Sequence, residues 1–277
     1  MNSFIKLVGA LLLLPSLVLA QSDDTYKLKV GGYIVGSQST EIRANSNDLN
    51  GLGTVLNLQK LFNMEEQEQV FRIDGRYRLN EKHSFEASWY SIHSSGSNTI
   101  GRSFDVPDGN GGSTTINAGA NIGTHLNTDI YKVNYMYSFY HTDELELGIG
   151  AGLHVMQIGF GLNGTYNDGS GDKEIGDNSG SIATTAPLPV IGFRLEYMPM
   201  DNFYINYSTD IFFIAFDGVS GSFSDNTLTA EYYFTKHFGV GGGFNATRMN
   251  LKLNSDNVDW DLSHDVMGGL VYLTVKY

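Results

Sequence analysis

Histidine is the residue type in this sequence that is best suited to acid–base chemistry near neutral pH. Four histidines are predicted to lie towards one rim of the fold: His93, His125, His154 and His264. Asp265 follows His264 directly, but neighbouring residues of a strand point to opposite faces, so the two side chains are poorly placed to act together. His93 beside Ser94 fails for the same reason. We therefore predict no catalytic residues, and an enzyme at the rim is the less favoured alternative.

Oxygen ligands for a metal ion are concentrated in residues 167–177, where carboxylates are interspersed with glycines. Ca²⁺ prefers hard oxygen ligands of this kind. The spacing does not match the regular EF-hand loop, so a solvated acidic loop is the favoured interpretation. The calcium candidates are Asp168, Asp172 and Asp177, and no cofactor is predicted.

Charged residues that alternate with apolar ones form the largest polar set. In residues 70–79 they occupy every second position, which places them on one face of a strand. The same alternation in later segments predicts a set that faces the interior of a closed sheet: Arg72, Asp74, Arg76, Arg78, Glu86, Lys132, Glu146, Arg194, Glu196, Asp210 and Glu231.

Two interpretations of this interior set are open. Charges in a narrow lumen are expected to pair, because an unpaired charge in a confined, partly dry space is costly, and this favours a structural salt-bridge network. Arg76 and Glu86 are the best single pair, since they lie at compatible heights across a tight turn. The alternative is a pore, in which Arg72, Arg76 and Arg78 face Glu196, Asp210 and Glu231 across a water path.

The last segment of the sequence indicates that β-strands are the elements that position these interior residues. Apolar residues alternate with polar ones up to the final residue, and the outward set ends on Val271, Leu273, Val275 and Tyr277. An apolar face towards lipid and a polar face inwards is the pattern of a transmembrane β-strand. The composition allows this architecture, because nothing after Ala20 is apolar for long enough to span a membrane as a helix.

The N-terminus and the composition agree with an envelope protein. Residues 1–20 read as a signal peptide, with Lys6, an apolar run and a small residue before Gln21, so the mature barrel domain is predicted at 21–277. The chain has no cysteine, which excludes disulfides and a lipid anchor on cysteine. The formal charge of −13 argues against nucleic acid as a partner.

Four tight turns carry an aromatic residue one step up the strand. The aromatic residues predicted to form a girdle at the periplasmic membrane interface are Tyr77, Tyr137, Phe139, Tyr197, Tyr232 and Phe234. Longer polar connections are predicted at 44–67, 97–125, 164–184, 217–225 and 254–257. Short periplasmic turns and long extracellular loops predict an all-β, antiparallel transmembrane barrel of about ten strands, with twelve or eight as alternatives. A short helix is expected in the first loop from the spacing of Leu58, Leu61 and Phe62.

The stretch from Val70 to Leu79, followed by Lys82 to Phe85 and Trp89 to Ser91, resembles bacterial outer-membrane β-barrel proteins of the OmpA-like and small porin-like group, within an uncharacterised subset. The resemblance implies an outer-membrane location in a Gram-negative cell, contact with membrane lipid and lipopolysaccharide, and assembly by the barrel-assembly machinery, which recognises the terminal strand. The expected function is that of a structural or surface-interaction barrel. The alternative is a narrow porin-like channel for ions or small polar solutes.

Overall fold

The computed structural model describes residues 24–46, 54–64, 68–99, 101, 103–107, 113–116, 118–167, 172–175, 182–216, 218–253 and 258–277. Within these ranges no helix is long and apolar enough to cross a membrane. The predicted signal peptide and the calcium candidates Asp168 and Asp177 lie outside the described residues, while Asp172 opens a short strand. No cluster of metal-ligating side chains is found in the described part of the chain.

Strands make up nearly all of the described chain. In chain order the elements are β1 (Tyr26–Ser46), β2 (Thr54–Asn57), α1 (Leu58–Phe62), β3 (Glu68–Asn80), β4 (His83–Thr99), β5 (Phe104–Pro107), β6 (Ser113–Ile116), β7 (Asn121–His141), β8 (Leu145–Asn167), β9 (Asp172–Ile175), β10 (Ile182–Met200), β11 (Phe203–Phe216), β12 (Val219–Tyr233), β13 (Phe238–Leu253) and β14 (Val258–Lys276).

Ten of these strands close into an antiparallel barrel. Their order around the wall is β1, β3, β4, β7, β8, β10, β11, β12, β13 and β14, and β14 pairs with β1 from Lys27–Lys276 to Ser46–Val258. The ten-stranded barrel predicted from the sequence is therefore confirmed, and twelve or eight strands are wrong. The short strands add to its rim: β2 pairs with β1, β9 with β8, and β5 with β6.

The two ends of the barrel differ. At one end, here called the turn end, the connections are residues 81–82, 142–144, 201–202 and 234–237, and β1 starts and β14 stops there. The opposite end is called the loop end. Next to the turn end the outward residues are apolar and exposed, and form what is here called the apolar belt. On β14 the belt runs from Met267 to Tyr277, and above it the outward residues Asp265 and Ser263 are polar.

Several strands extend further towards the loop end than the sequence predicted. β7 begins at Asn121, β8 continues to Asn167, and β12 begins at Val219, so the long loop predicted at 217–225 is wrong: only residues 217 and 218 separate β11 from β12. Beyond the belt, outward residues such as Ser222 and Ser224 are polar. The apolar alternation that predicts strands is lost there, although the ladder continues.

The first connection completes the wall. Pairing of β1 with β3 ends at Val35–Glu68, and pairing of β3 with β4 ends at Arg72–Tyr90, which leaves a gap above β3. The segment β2–α1 occupies this gap, where β2 pairs with β1 and the Asn98 side-chain amide donates to the Leu61 carbonyl at 2.9 Å. The helix expected from the spacing of apolar residues is thus present.

Candidate functional site in the barrel lumen

Ion pairs at the turn end join strands that are not neighbours in the wall. Lys27 Nζ on β1 lies 2.8 Å from Glu196 Oε2 on β10, and Arg78 on β3 makes a two-pronged pair with Glu146 on β8 at 2.7 and 3.0 Å. The alternating side chains of each strand point into one narrow space, so opposite walls come within reach of each other. These pairs therefore cross the lumen and hold its walls together.

Glu231 on β12 is the most enclosed carboxylate of this region, with no exposed surface. Its oxygens lie 2.5 Å from Lys29 Nζ and 3.5 Å from Lys27 Nζ. They also accept hydrogen bonds from the phenols of Tyr233 at 3.1 Å and Tyr272 at 3.0 Å. Two cations and two hydroxyl donors compensate the loss of water around this buried charge.

A second layer of ion pairs lies further along the lumen. Arg194 Nε on β10 is 2.8 Å from Glu86 Oε2 on β4, and its Nη1 is 2.8 Å from Asp210 Oδ1 on β11. His154 Nε2, fully buried on β8, is 3.2 Å from Asp210 Oδ2. Lys132 on β7 pairs across the lumen with the buried Asp225 on β12. Arginine bridges two carboxylates here because its planar fork presents several donors at once.

The pair expected between Arg76 and Glu86 is wrong. The two residues are direct cross-strand neighbours, yet Glu86 binds Arg194. Arg76 Nη2 lies 2.7 Å from Asp24 Oδ2 and its Nη1 lies 3.5 Å from Glu196. Across so narrow a lumen the opposite wall competes with the adjacent strand, and the expectation considered the adjacent strand alone.

The remaining predicted interior residues also face the lumen. Arg72 and Asp74 pair with each other on β3 at 2.9 Å. A cavity of about 170 Å³ lies among the ion pairs and is lined by Arg72, Arg76, Glu86, Lys132, Arg194 and Asp210, among others. Several lining polar atoms, including Arg72 Nη1 and Asn206 Nδ2, have no protein partner in the described part of the chain. A polar cavity of this size suits ordered water.

An apolar layer lies between the charged region and the loop end. Its buried members are Tyr33, Val35, Val70, Tyr90, Ile92, Ile130, Met156, Val190, Phe223, Met249, Val266, Leu270 and Tyr272. Tyr33 and Tyr90 meet edge to face with ring centroids 5.7 Å apart, and Arg72 lies 4.8 Å from the centre of the Tyr90 ring. Closer to the loop end, α1 adds a second apolar cluster, in which Leu58 and Phe62 pack with Ile122 and Leu126.

Sequence reasoning missed several members of the network. Lys27 and Lys29 alternate with Tyr26, Leu28 and Val30, so the same rule that placed Arg72 inwards would have found them. Asp225 was assigned to a loop that is in fact part of β12. Asp24 precedes β1 and has no strand periodicity to reveal it, so only the folded structure brings it to Arg76.

No protein-family model matches the sequence, and no curated protein matches it. Among solved structures, the outer membrane protease OmpT from Escherichia coli is similar over 94% of this chain and 99% of its own, with a TM-score of 0.59 and 13% sequence identity. The outer membrane protein OprG from Pseudomonas aeruginosa matches over 91% of this chain and 95% of its own, with a TM-score of 0.34 and 10% identity. The chain has the fold of a bacterial outer-membrane β-barrel.

The remaining predicted residues, the aromatic girdle and the terminal-strand set, lie on the outer face of this barrel. The expected girdle residues Tyr77, Tyr137, Phe139, Tyr197, Tyr232 and Phe234 are all exposed on the outer face near the turn end. The outward residues of the terminal strand, Val271, Leu273, Val275 and Tyr277, are exposed as well. Both sets therefore belong to the apolar belt.

The histidines are not gathered at a rim. His154 lies in the middle of the lumen, and His264 is buried with its Nδ1 3.0 Å from Thr40 Oγ1. Asp265 points outwards and pairs with Arg248 at 2.9 Å, so it is separated from His264 as the strand geometry predicted. His93 is exposed beside Ser91. None of these four histidines contacts another of the four.

Proposed function

We propose that this protein is an integral outer-membrane barrel whose lumen is closed to solutes and which acts as a structural or surface-interaction element. The observation that carries the proposal is the cross-lumen ion pairing, exemplified by Lys27–Glu196, Arg78–Glu146 and Arg194–Glu86. Removing one partner of a buried pair typically costs about 3–5 kcal/mol, so a water path through this region would have to disrupt several strong contacts.

The apolar layer supports closure independently. A polar solute that passed the ion pairs would next meet Tyr33, Tyr90 and their apolar neighbours, which are buried and offer little hydrogen bonding. Two barriers of different chemistry in series favour a scaffold over a conduit. In this proposal the partners are membrane lipid and lipopolysaccharide around the barrel. The terminal strand is the segment that the barrel-assembly machinery recognises during biogenesis.

A narrow channel for ions or small polar solutes is the second candidate. The cavity of about 170 Å³ among the ion pairs favours it, because this space is polar and lined by both signs of charge. Such a channel requires the apolar layer to part or to rearrange. The two candidates therefore differ in whether current flows through the native barrel.

Single-channel recording in a planar bilayer tests the proposal. The refolded mature protein and the variants Arg76→Ala and Arg248→Ala are compared; Arg76 lies in the lumen, whereas Arg248 is exposed on the outer face. The expected result is a silent bilayer for all three, with folding verified by protease resistance. Reproducible current steps that change with Arg76→Ala and not with Arg248→Ala would overturn the closed barrel in favour of the channel.

A further inference from the structure

The backbone ladder between β10 and β11 is incomplete. Their pairing runs from Met200–Phe203 to Ile191–Ile211 and stops there, although both strands continue towards the loop end. Residues 182–190 of β10 pair only with β8, and residues 212–216 of β11 pair only with β12. The stretch in which residues 185–190 and 212–216 have no backbone pairing towards each other is called the β10–β11 notch. Unlike the gap above β3, it is not filled by a described segment.

Two prolines explain why the ladder stops. Pro187 and Pro189 lie opposite Val155 and Leu153 of β8, and pairing on that side stays in register. In an antiparallel ladder a residue directs its N–H and C=O to the same neighbour. Proline lacks the N–H and is tolerated only where no ladder bond is required, so the side without donors must be the side that faces β11.

The notch is apolar on both faces. Residues 185–190 and 212–216 contain no charged residue. On the outer face Phe213 is 71% exposed, and Ile191, the last residue of β10 that pairs with β11, is 59% exposed at the edge of the notch. On the inner face Leu188 and Phe212 pack against the apolar layer of the lumen.

The height of the notch is that of the upper edge of the apolar belt. On β7 and β8 the last outward apolar residues are Tyr131 and Val155, followed by the polar Asp129 and Gln157. On β12 the outward residues opposite Ile211 and Phe213 are already the polar Ser224 and Ser222. Pro187 is in register with Val155, so the notch continues the lipid-facing surface into the wall. The unpaired backbone groups of the notch therefore lie at the edge of the belt and not at its middle, where an unsatisfied group in hydrocarbon would be most costly.

We propose that the β10–β11 notch is a lateral docking site for an acyl chain of a membrane lipid. The chain would enter between Pro189 and Phe213 and contact Leu188 and Phe212, passing from the belt towards the apolar layer. Continuity with the belt and the lack of charge select this occupant over a peptide or a polar solute. The inference rests on the proposed membrane location of the barrel.

Quenching of tryptophan by brominated lipid tests this site. Trp89 and Trp260 are replaced by Phe, and single tryptophans are introduced by Phe212→Trp, Phe223→Trp or Phe244→Trp. Phe223 is the cross-strand partner of Phe212 and is buried in the apolar layer, but its strand is paired on both sides, which makes it the matched control. Phe244 is 71% exposed on the belt and reports membrane insertion by itself.

In vesicles of a phosphatidylcholine brominated in mid-chain, we expect quenching at position 212 to be at least half of that at 244, with little quenching at 223. Replacing Pro187 and Pro189 by Thr supplies the missing backbone N–H donors, so that the β10–β11 ladder can extend, and should reduce quenching at 212 at least twofold. The control substitution Pro199→Thr should leave quenching at 212 unchanged. Quenching at 212 no greater than at 223, or quenching at 212 by aqueous iodide instead of lipid, would overturn the docking site. No quenching at 244 would overturn the membrane location as well.

Discussion

At the scale of single residues, Glu231 shows how the lumen tolerates a buried charge. The carboxylate has no exposed surface, yet Lys27, Lys29, Tyr233 and Tyr272 all direct polar atoms to it. Burial strengthens these contacts because the interior screens charge less than water does. For the same reason, loss of any one partner would leave the buried carboxylate partly unpaired at a cost in stability. The four partners therefore stabilise the carboxylate together.

Replacement of Glu231 by Ala should therefore lower the free energy of unfolding by about 3–5 kcal/mol, because two cations lose their buried partner. The matched control is Asp265→Ala, which breaks the exposed pair with Arg248 on the outer face and should cost less than about 1 kcal/mol. Reversible urea unfolding in lipid vesicles measures both. Equal losses for the two variants would contradict the buried network.

At the scale of elements, α1 depends on close approach to β4. A Cβ atom at Gly96 would lie 2.6 Å from the Phe62 carbonyl oxygen and 2.6 Å from Met64 Cα, so glycine is required for the segment to fit against the wall. With this contact in place, Leu58 and Phe62 reach the inward side chains Ile122 and Leu126 of β7. The first connection is thus part of the wall.

The substitution Gly96→Val should displace α1, at an overpacking penalty of about 1–3 kcal/mol. Cleavage by trypsin after Lys60, which is exposed within α1, should then become about tenfold faster, since proteolysis follows the population of the opened segment. Gly75→Val is the control, because nothing lies within 4 Å of a Cβ at that position. Unchanged cleavage in the Gly96 variant would show that the segment does not need this contact.

The elements also show how far sequence reasoning reaches. Within the apolar belt, outward residues such as Phe71 and Val133 reveal each strand, so the inward position of Arg72 and Lys132 follows from alternation alone. Beyond the belt both faces of the strands contain polar residues, so the alternation that indicates a strand is absent. Asp225 was therefore assigned to a predicted loop. The choice of partner for Arg76 depends on which strands oppose each other across the closed barrel, and this information is absent from any single strand.

At the scale of the whole molecule, the apolar belt fixes how the barrel fits a bilayer. Met267 and Tyr277 bound the belt on β14 and are ten residues apart. At about 3.3 Å per residue and a tilt near 40°, this corresponds to a belt about 25 Å high. The nine residues from Val258 to Val266 continue the strand beyond the belt towards the loop end.

We therefore expect the free energy of unfolding to be highest in bilayers with a hydrocarbon thickness of about 25 Å and to fall in thicker ones, where polar outward residues enter the hydrocarbon. Urea unfolding in phosphatidylcholine vesicles of increasing acyl length measures this. Replacing Arg248 and Asp265, just above the belt, by Leu should reduce the loss in thick bilayers. Lys252 and Asp261 form a cross-strand pair, 3.8 Å apart, that lies further from the belt. Replacing these two residues by Leu should have no such effect, because lipid does not reach that height. Stability that rises steadily with acyl length, or equal responses of the two double variants, would place the membrane boundary elsewhere on the barrel.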